Sequence, residues 1–562
     1  MPPARPEPAD PGNESQPGDG ATGRIVVAAL LVEAALVLAQ VRAKLSAPFW
    51  YDEQWRAYHL SLTRGFWQEL QHVNTAVAAG WVVVERASVL VLGNAEWAWR
   101  LPQAVAVPAL GVLTWRVARH CLGLKVTASA IIAAAMIANG PILGYAVQLK
   151  PYSVEALCCV VALRLWLEAS DPHRHHRRQI LRRLGVYAGI GMCALVATPL
   201  VFVVAPLLVI DLARGLRHSR ELAGRVGPTA LAGVIALAHL IWFVLPQTRS
   251  ANIHYWDADF LPRAGRPGFV FVGRQLATFV PDVVSNGLPL PEAVHAVLVS
   301  VLVVGLTAGT VLALADRRAW PLPVTLAGAL ASELAASALR LWPFGFVRVN
   351  LFLVPLFYLL AGFGIARLAA VAIGGAWGWA RRGRPVVAAR AAGVVALAAV
   401  LVATGAGCWG VARASAAVIA RQHRLERNTA WGAGMRTLVG QARDEANPRD
   451  LAIVAGFMGV KGWSYYMLHY DGWPSDVWRH QPISPDRTLI ADPPDQRSVR
   501  AFLRAHPGAE RVLLLTMINA RRGWEQAVVG PLESAGYRQT QTITAPITGT
   551  LTIEEKQHPT LR

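Results

Sequence analysis

Apolar runs of about twenty residues, the length that spans a bilayer, recur from Ile25 to Cys408. Nothing else in the chain constrains its fold as much. Each run must satisfy its backbone hydrogen bonds once it leaves water, which leaves only helices or a closed barrel. The runs are continuous rather than alternating, so a transmembrane β-barrel is excluded. Hydrophobic residues fill 54% of the 562 positions and charged residues only 16%, and the mean hydropathy is +0.36. A soluble chain of this length would not be so apolar. The chain reads as a polytopic α-helical membrane protein.

The net charge of +19, from 54 Lys plus Arg against 35 Asp plus Glu, is explained by its placement. In a soluble protein it would suggest nucleic acid; here the cations gather in a few loops, as the positive-inside rule requires. These loops hold Arg116, Arg119 and Lys125; Arg174, Arg177, Arg178, Arg182 and Arg183; Arg214, Arg217, Arg220 and Arg225; Arg317 and Arg318; and Arg381, Arg382, Arg384 and Arg390. All are consistent with one topology. Spans are expected near 25–43, 100–118, 127–146, 152–168, 228–246, 293–315, 321–341, 349–369 and 386–409. The run 185–213 has basic loops at both ends, so it must be two short helices turning near Thr198-Pro199. That makes about eleven helices with a cytoplasmic N-terminus. Residues 247–291 read as a long polar outer loop.

The stretch 45–98 is amphipathic and carries Trp50, Trp55, Trp67, Trp81, Trp97 and Trp99. Tryptophan prefers the membrane–water boundary, so interfacial helices along the outer surface are expected here. Residues 1–23 are rich in Pro, Gly, Asp and Glu and read as a disordered cytoplasmic tail. The first apolar run lacks a basic preceding region and a small-residue cleavage site, which favours a retained signal-anchor. The cysteines, Cys121, Cys158, Cys159, Cys193 and Cys408, lie in or beside apolar runs without zinc spacing. Packing as small apolar residues explains them. The membrane domain is expected over 24–412 and a small extracytoplasmic α/β domain over 413–562, with strands at Leu451–Ala455, Thr488–Ile490, Arg511–Thr516 and Leu551–Ile553. Helical patterns, such as Val499–Ala505 and Trp524–Ala535, fall between them. Gly456 to Gly462 matches neither a P-loop nor a dinucleotide fingerprint and reads as a strand-to-helix turn. His173-Arg174-His175-His176 lies beside five arginines, which repel metals, so it reads as part of a charge run.

Asp52 and Glu53 sit side by side just outside the first apolar run, in Phe49-Trp50-Tyr51-Asp52-Glu53. A carboxylate there can act as general base on an acceptor hydroxyl, or hold a divalent metal against a phosphate. The plainer reading is a helix start, where acids suit the helix dipole. Lys150, before Pro151-Tyr152, and Arg348, after Trp342-Pro343-Phe344-Gly345, stand at outer helix ends against the positive-inside trend. An anionic partner such as a phosphate would account for them; snorkelling to lipid headgroups is the alternative. Glu85-Arg86 and Glu96 with Arg100 read as pairs along their own helices.

These residues resemble motifs of the GT-C superfamily of integral-membrane glycosyltransferases. The pattern is most like the bacterial relatives of protein O-mannosyltransferases and lipopolysaccharide-core sugar transferases, family 39-like. The likeness rests on Asp52-Glu53 opening the first outer loop and on Glu96-Trp97-Ala98-Trp99-Arg100-Leu101-Pro102 entering the second span. Gln148-Leu149-Lys150-Pro151-Tyr152-Ser153 and Trp342 to Arg348 leading into Leu351-Phe352-Leu353-Val354-Pro355 complete it. It covers about 25–410. Many relatives carry a Pro-Pro pair farther along the first outer loop; here that region reads His72-Val73-Asn74-Thr75-Ala76.

The resemblance implies inverting transfer of a hexosyl or pentosyl unit from a polyprenyl-phosphate donor on the outer face of the plasma membrane. The acceptor hydroxyl would belong to a glycan, lipid or protein. Asp52 would be the base with Glu53 supporting it. Lys150, Tyr152, Arg348, Arg249, Arg100 and His72 would bind substrate. Metal use varies in the superfamily, so a divalent cation, Mg or Mn, stays open. A transporter or lipid flippase is the rival reading. Transporters place polar residues at the bilayer midplane, often in repeated halves, whereas these gather at one face and no repeat is evident.

Overall fold

The computed structural model describes residues 19–61, 77–170, 179–217, 219–248, 257–262, 266–285, 291–345, 347–380, 423–455, 462–463, 465–467, 483–491, 495–517, 524–545 and 548–557. Helix α1 is Asp19–Leu45, and the stretch after it forms α2, Tyr51–Ser61, and α3, Ala79–Leu92. Next come α4, Glu96–Arg116, α5, Val126–Ile137, α6, Gly140–Ala146, and α7, Tyr152–Ala169. The bundle continues with α8, Gln179–Val196, α9, Val201–Arg217, and α10, Ser219–His239. It continues through α11, Arg266–Ser285, α12, Glu292–Ala315, α13, Pro321–Ala338, and α14, Val354–Ala380.

Among the described residues six helices are long and apolar enough to cross a membrane, or seven if one bent pair is a single span. Helices α7, α8 and α13 lie where further segments were expected. The expected span 386–409 lies outside the described residues. A buried 3₁₀ turn at Thr198–Leu200 separates α8 from α9, where Pro199 lacks the N–H a continuous helix needs.

Three sequence expectations are corrected. The run 127–146 is not one straight helix: α5 and α6 meet at a bend of 51°. Asn139 causes it by capping α6, its side-chain oxygen accepting from Ile142 N at 3.1 Å, with Pro141 in the first turn. The expected polar loop 247–291 contains α11, whose stripe Phe271, Gln275 and Phe279 is buried. That four-residue spacing is a helix face, obscured by the flanking prolines and charges. Trp81 and Trp99 are buried in the core rather than interfacial, while Trp97 is exposed. Trp99 Nε1 donates to Asn94 Oδ1 at 2.7 Å.

Beyond the bundle, α15, His423–Glu445, precedes a five-stranded sheet. Strands β1, Leu451–Ala455, β2, Thr488–Ala491, and β3, Arg511–Met517, are parallel, in the order β2-β1-β3. Strands β4, Tyr537–Ala545, and β5, Gly549–Lys556, complete the sheet antiparallel. Every residue of β1 is buried, as a central strand covered on both faces requires. Leu451, Ile453, Val512 and Leu514 pack under α16, Gln496–Ala505, and α17, Trp524–Ser534. Ala452, Val454, Leu513 and Leu515 join α15 and the bundle in one continuous core.

Candidate active site

Helix α2 begins where the chain leaves α1. The amides of Glu53 and Gln54 both donate to Trp50 O at 2.9 Å. Glu53 Oε2 accepts from Trp50 N at 3.4 Å, the reach-back of a capping box. Arg100, in the first turns of α4, donates through Nε to Glu53 Oε1 at 2.9 Å and through Nη2 to Oε2 at 2.8 Å. Both side chains are buried. Glu53 Oε1 also accepts from Leu149 N at 2.6 Å. Arg100 Nη1 donates to the carbonyls of Lys44, Leu45 and Ala47. A buried ion pair is tolerated when further hydrogen bonds satisfy its remaining atoms, and this one joins three chain segments.

Asp52 points elsewhere. Its Oδ2 accepts from Lys150 Nζ at 2.7 Å; the Lys150 side chain is 4% exposed and that of Asp52 is 32% exposed. The Lys150 ammonium also lies 5.1 Å from the centroid of the Trp50 ring. Lys150 is held by a tight turn, its N–H donating to Gln148 O at 2.8 Å. Helix α6 ends at Ala146, and the turn that follows lies beside α2, with Leu149 N donating to Glu53 and Lys150 Nζ to Asp52.

Arg56, one helical turn after Asp52, donates from Nη1 to Leu149 O at 3.1 Å. The sequence reading missed it; the signal was the four-residue spacing from Asp52 on an amphipathic helix. Arg348 lies in a 3₁₀ turn, Val347–Val349, before α14, within electrostatic reach of both Asp52 and Lys150. Tyr152, at the start of α7, is buried and feels Arg348, Arg56 and Asp52. Its ring meets Tyr145 edge-on at 4.8 Å.

Burial opposes ionisation of Asp52, but the Lys150 ammonium, then Arg56 and Arg348, outweigh it and hold the carboxyl below its ordinary range. Burial, with Arg56 beside it, pulls the Lys150 ammonium down to about 7, against the opposing pull of Asp52. The site is thus one carboxylate among three cations, able to receive an anion.

Of the expected site residues, Asp52, Lys150, Tyr152 and Arg348 come together. Glu53 and Arg100 lie beneath them, engaged with each other. Arg249 and His72 lie outside the described residues, as does the 173–176 histidine tract. Two expected helix pairs are corrected: Glu96 accepts from Arg436 at 3.2 Å, and Glu85 from Gln103 at 2.7 Å. Glu96 and Glu85 found partners on other elements because the bundle buries their faces. Among the described residues no group of three His, Cys, Asp or Glu could hold a metal ion. Glu53 is committed to Arg100, which leaves Asp52 as the carboxylate of the pair that faces the three cations.

No family model and no curated protein matches the sequence. Among solved structures, the chain is similar to ArnT from Cupriavidus metallidurans bound to undecaprenyl phosphate. The TM-score is 0.52 at 13% identity, over 95% of this chain and 98% of that one. The apo state of the same protein gives 0.54 at 14% identity, with the same coverage. The likeness is one of fold, and it extends over nearly the whole of both chains.

Proposed function

We propose that this chain is a glycosyltransferase that moves a sugar from a polyprenyl-phosphate donor to an acceptor hydroxyl at the outer face of the plasma membrane. One observation carries the reading: the 2.7 Å pair of Asp52 with Lys150, with Arg56 and Arg348 converging on it. The fold supports it, because ArnT, which shares that fold, was crystallised with undecaprenyl phosphate.

The chemistry follows from the charges. The donor phosphodiester is anionic and departs as a phosphate carrying more charge, so Lys150, Arg56 and Arg348 favour the transition state over the ground state. Asp52 takes the acceptor proton as the new glycosidic bond forms and the bond from the anomeric carbon to phosphate oxygen breaks. One displacement inverts the anomeric centre. A carboxylate held this low is a weak base while Lys150 donates to it. A phosphate beside Lys150 competes for the same ammonium and returns basicity to Asp52 when the donor is in place. Glu53 and Arg100 hold the helix start and the Lys150 turn. A hexosyl or pentosyl donor, and a glycan, lipid or protein acceptor, all fit this scheme.

The test is transfer of labelled sugar from polyprenyl-phosphate donors by the purified protein beside Asp52→Asn. Loss of about a hundredfold or more in turnover is expected for Asp52→Asn. Equal turnover by the two proteins would remove Asp52 as the base, and retained anomeric configuration in the product would remove the single displacement.

A further inference from the structure

The helix start that carries Asp52 is gripped from the C-terminal side of the chain. Phe49, three residues before Asp52, is fully buried. Its N–H donates to the Tyr466 hydroxyl oxygen at 2.9 Å, a buried hydrogen bond. Its carbonyl accepts from Gln54 Nε2 at 2.6 Å. Its ring meets that of Tyr465 at 5.3 Å between centroids, with the Arg100 guanidinium 4.8 Å from its own centroid. Helix α15 comes backbone to backbone against this segment. A Cβ on Gly432 would collide with the Phe49 carbonyl and lie 3.1 Å from the Pro48 carbonyl oxygen. A Cβ on Gly462 would lie 2.8 Å from Gln54 Oε1.

Both contact groups belong to the sheet side of the molecule. Helix α15 is tied to the sheet where Thr548 Oγ1 donates to Trp431 O at 3.1 Å. It is tied to the bundle where Arg436 donates to Glu96. Both backbone polar groups of Phe49 are therefore engaged, one by Tyr466 and the other by Gln54, with Gly432 packed against its carbonyl. The next residue, Trp50, supplies the first carbonyl acceptor of α2 and the ring beside Lys150. A small displacement of Phe49 moves the start of α2 and, with it, Asp52.

We propose that the C-terminal sheet domain is a positioning element of the active site, with Tyr466 and Gly432 clamping Pro48–Phe49 to set where the Asp52 helix begins. The proposal rests on the reading of Asp52 as base. Reacting groups tolerate little misplacement, about a hundredfold in rate for 1 Å. A contact that only docked the two parts would affect stability without touching the chemical step.

The experiment uses the full chain in lipid nanodiscs. Tyr466→Phe keeps the ring and removes the acceptor for Phe49 N–H; Gly432→Ala is the second variant. Two measurements are made: hydrogen exchange of the Phe49 and Leu149 amides, with β1 as reference for the intact sheet, and kcat and KM for the donor. Leu149 reports on the acid pair without any turnover, because its amide is held by Glu53. Exchange about tenfold faster at both amides is expected, with kcat about tenfold lower and the donor KM unchanged. Unchanged Leu149 exchange overturns the proposal, and so does faster exchange with wild-type kcat. If the wild-type protein transfers nothing from any polyprenyl-phosphate donor, the donor reading fails by itself. Leu149 exchange then still decides whether the sheet domain seats the acid pair. Should one variant lose β1 protection, the other supplies the result.

Discussion

At the scale of single residues, the adjacent acids divide two readings between them. Glu53 is the helix-start acid: it caps α2, pairs with buried Arg100 and holds Leu149 N. Asp52, half-exposed, pairs with Lys150. Their variants should therefore differ in kind. Glu53→Ala leaves a buried guanidinium without its carboxylate and is expected to cost about 3–5 kcal/mol of stability. Asp52→Asn should cost about 1 kcal/mol or less, because the pair is partly solvated and Lys150 can shed its charge. Thermal melts of both variants check this; a less stable Asp52→Asn would reverse the assignment. Lys150 adds a pH dependence. Its ammonium titrates at about 7, so it is charged below and neutral above. A phosphodiester keeps its charge throughout, so donor affinity should fall as pH rises through that value, by at most about tenfold per unit. In the unfolded chain Lys150 keeps its proton to higher pH, so its contribution to stability rises over the same interval. Lys150→Arg should flatten the affinity slope, and equilibrium binding of labelled donor across pH reads it; an unchanged slope would exclude Lys150 as the titrating group. Of this site, Asp52, Lys150 and Arg348 were legible as charges at helix ends expected to face outward. The split between Asp52 and Glu53 was not, since partners contributed by Arg100 and Leu149 come from distant positions in the chain.

At the scale of elements, hydropathy located the six helices among the described residues that are long and apolar enough to cross a membrane, because a bilayer allows few other solutions for long apolar runs. It missed what short-range chemistry decides: the Asn139 cap, and α11, whose buried face hides among charges. Strand β4 was also missed, since Arg538 to Thr542 lie mostly exposed at a sheet edge and show no apolar alternation. Helix pairing in a membrane depends on small residues that let backbones approach. Gly305 and Gly309 on α12 face Leu360, Ala361 and Gly364 on α14, and a Cβ on Gly309 would collide with the Leu360 carbonyl. Gly309→Ala should therefore destabilise by about 1–3 kcal/mol through overpacking. Gly273 in α11 has nothing within 4 Å of a Cβ position, so Gly273→Ala should be neutral or gain up to about 1 kcal/mol in helix propensity. Denaturation of the two variants in the same detergent compares them directly. Equal stabilities would mean that α12 and α14 are not held by this close approach.

At the scale of the whole molecule, the described residues of four basic loops gather at one end and the site lies at the other. Arg318 Nη1 lies 3.6 Å from a Cβ position on Gly123, and Arg183 Nη1 lies 3.7 Å from one on Gly224, so four of the loops meet in pairs. Arg214 stacks between Trp166 and Trp320, 5.0 and 4.8 Å from their centroids, which joins α7 and α9 to the turn before α13. Asp316 pairs with Arg367 of α14 at 2.8 Å beside it. Asp52, Lys150, Arg348, the Glu96–Arg436 pair and the sheet domain occupy the opposite helix ends. If the basic end faces the cytoplasm, as its charge demands, Asp52 faces outward with the sheet. Orientation can be read with a membrane-impermeant thiol reagent on intact cells. Asp486→Cys, exposed on the sheet domain, should label without permeabilisation. Arg317→Cys, exposed in a basic loop, should label only after it, along with half-buried Cys121. The buried Cys158, Cys159 and Cys193 should stay silent in both states. Labelling of residue 317 on intact cells would put the carboxylate and its cations on the cytoplasmic side, where a donor presented at the outer leaflet could not reach them.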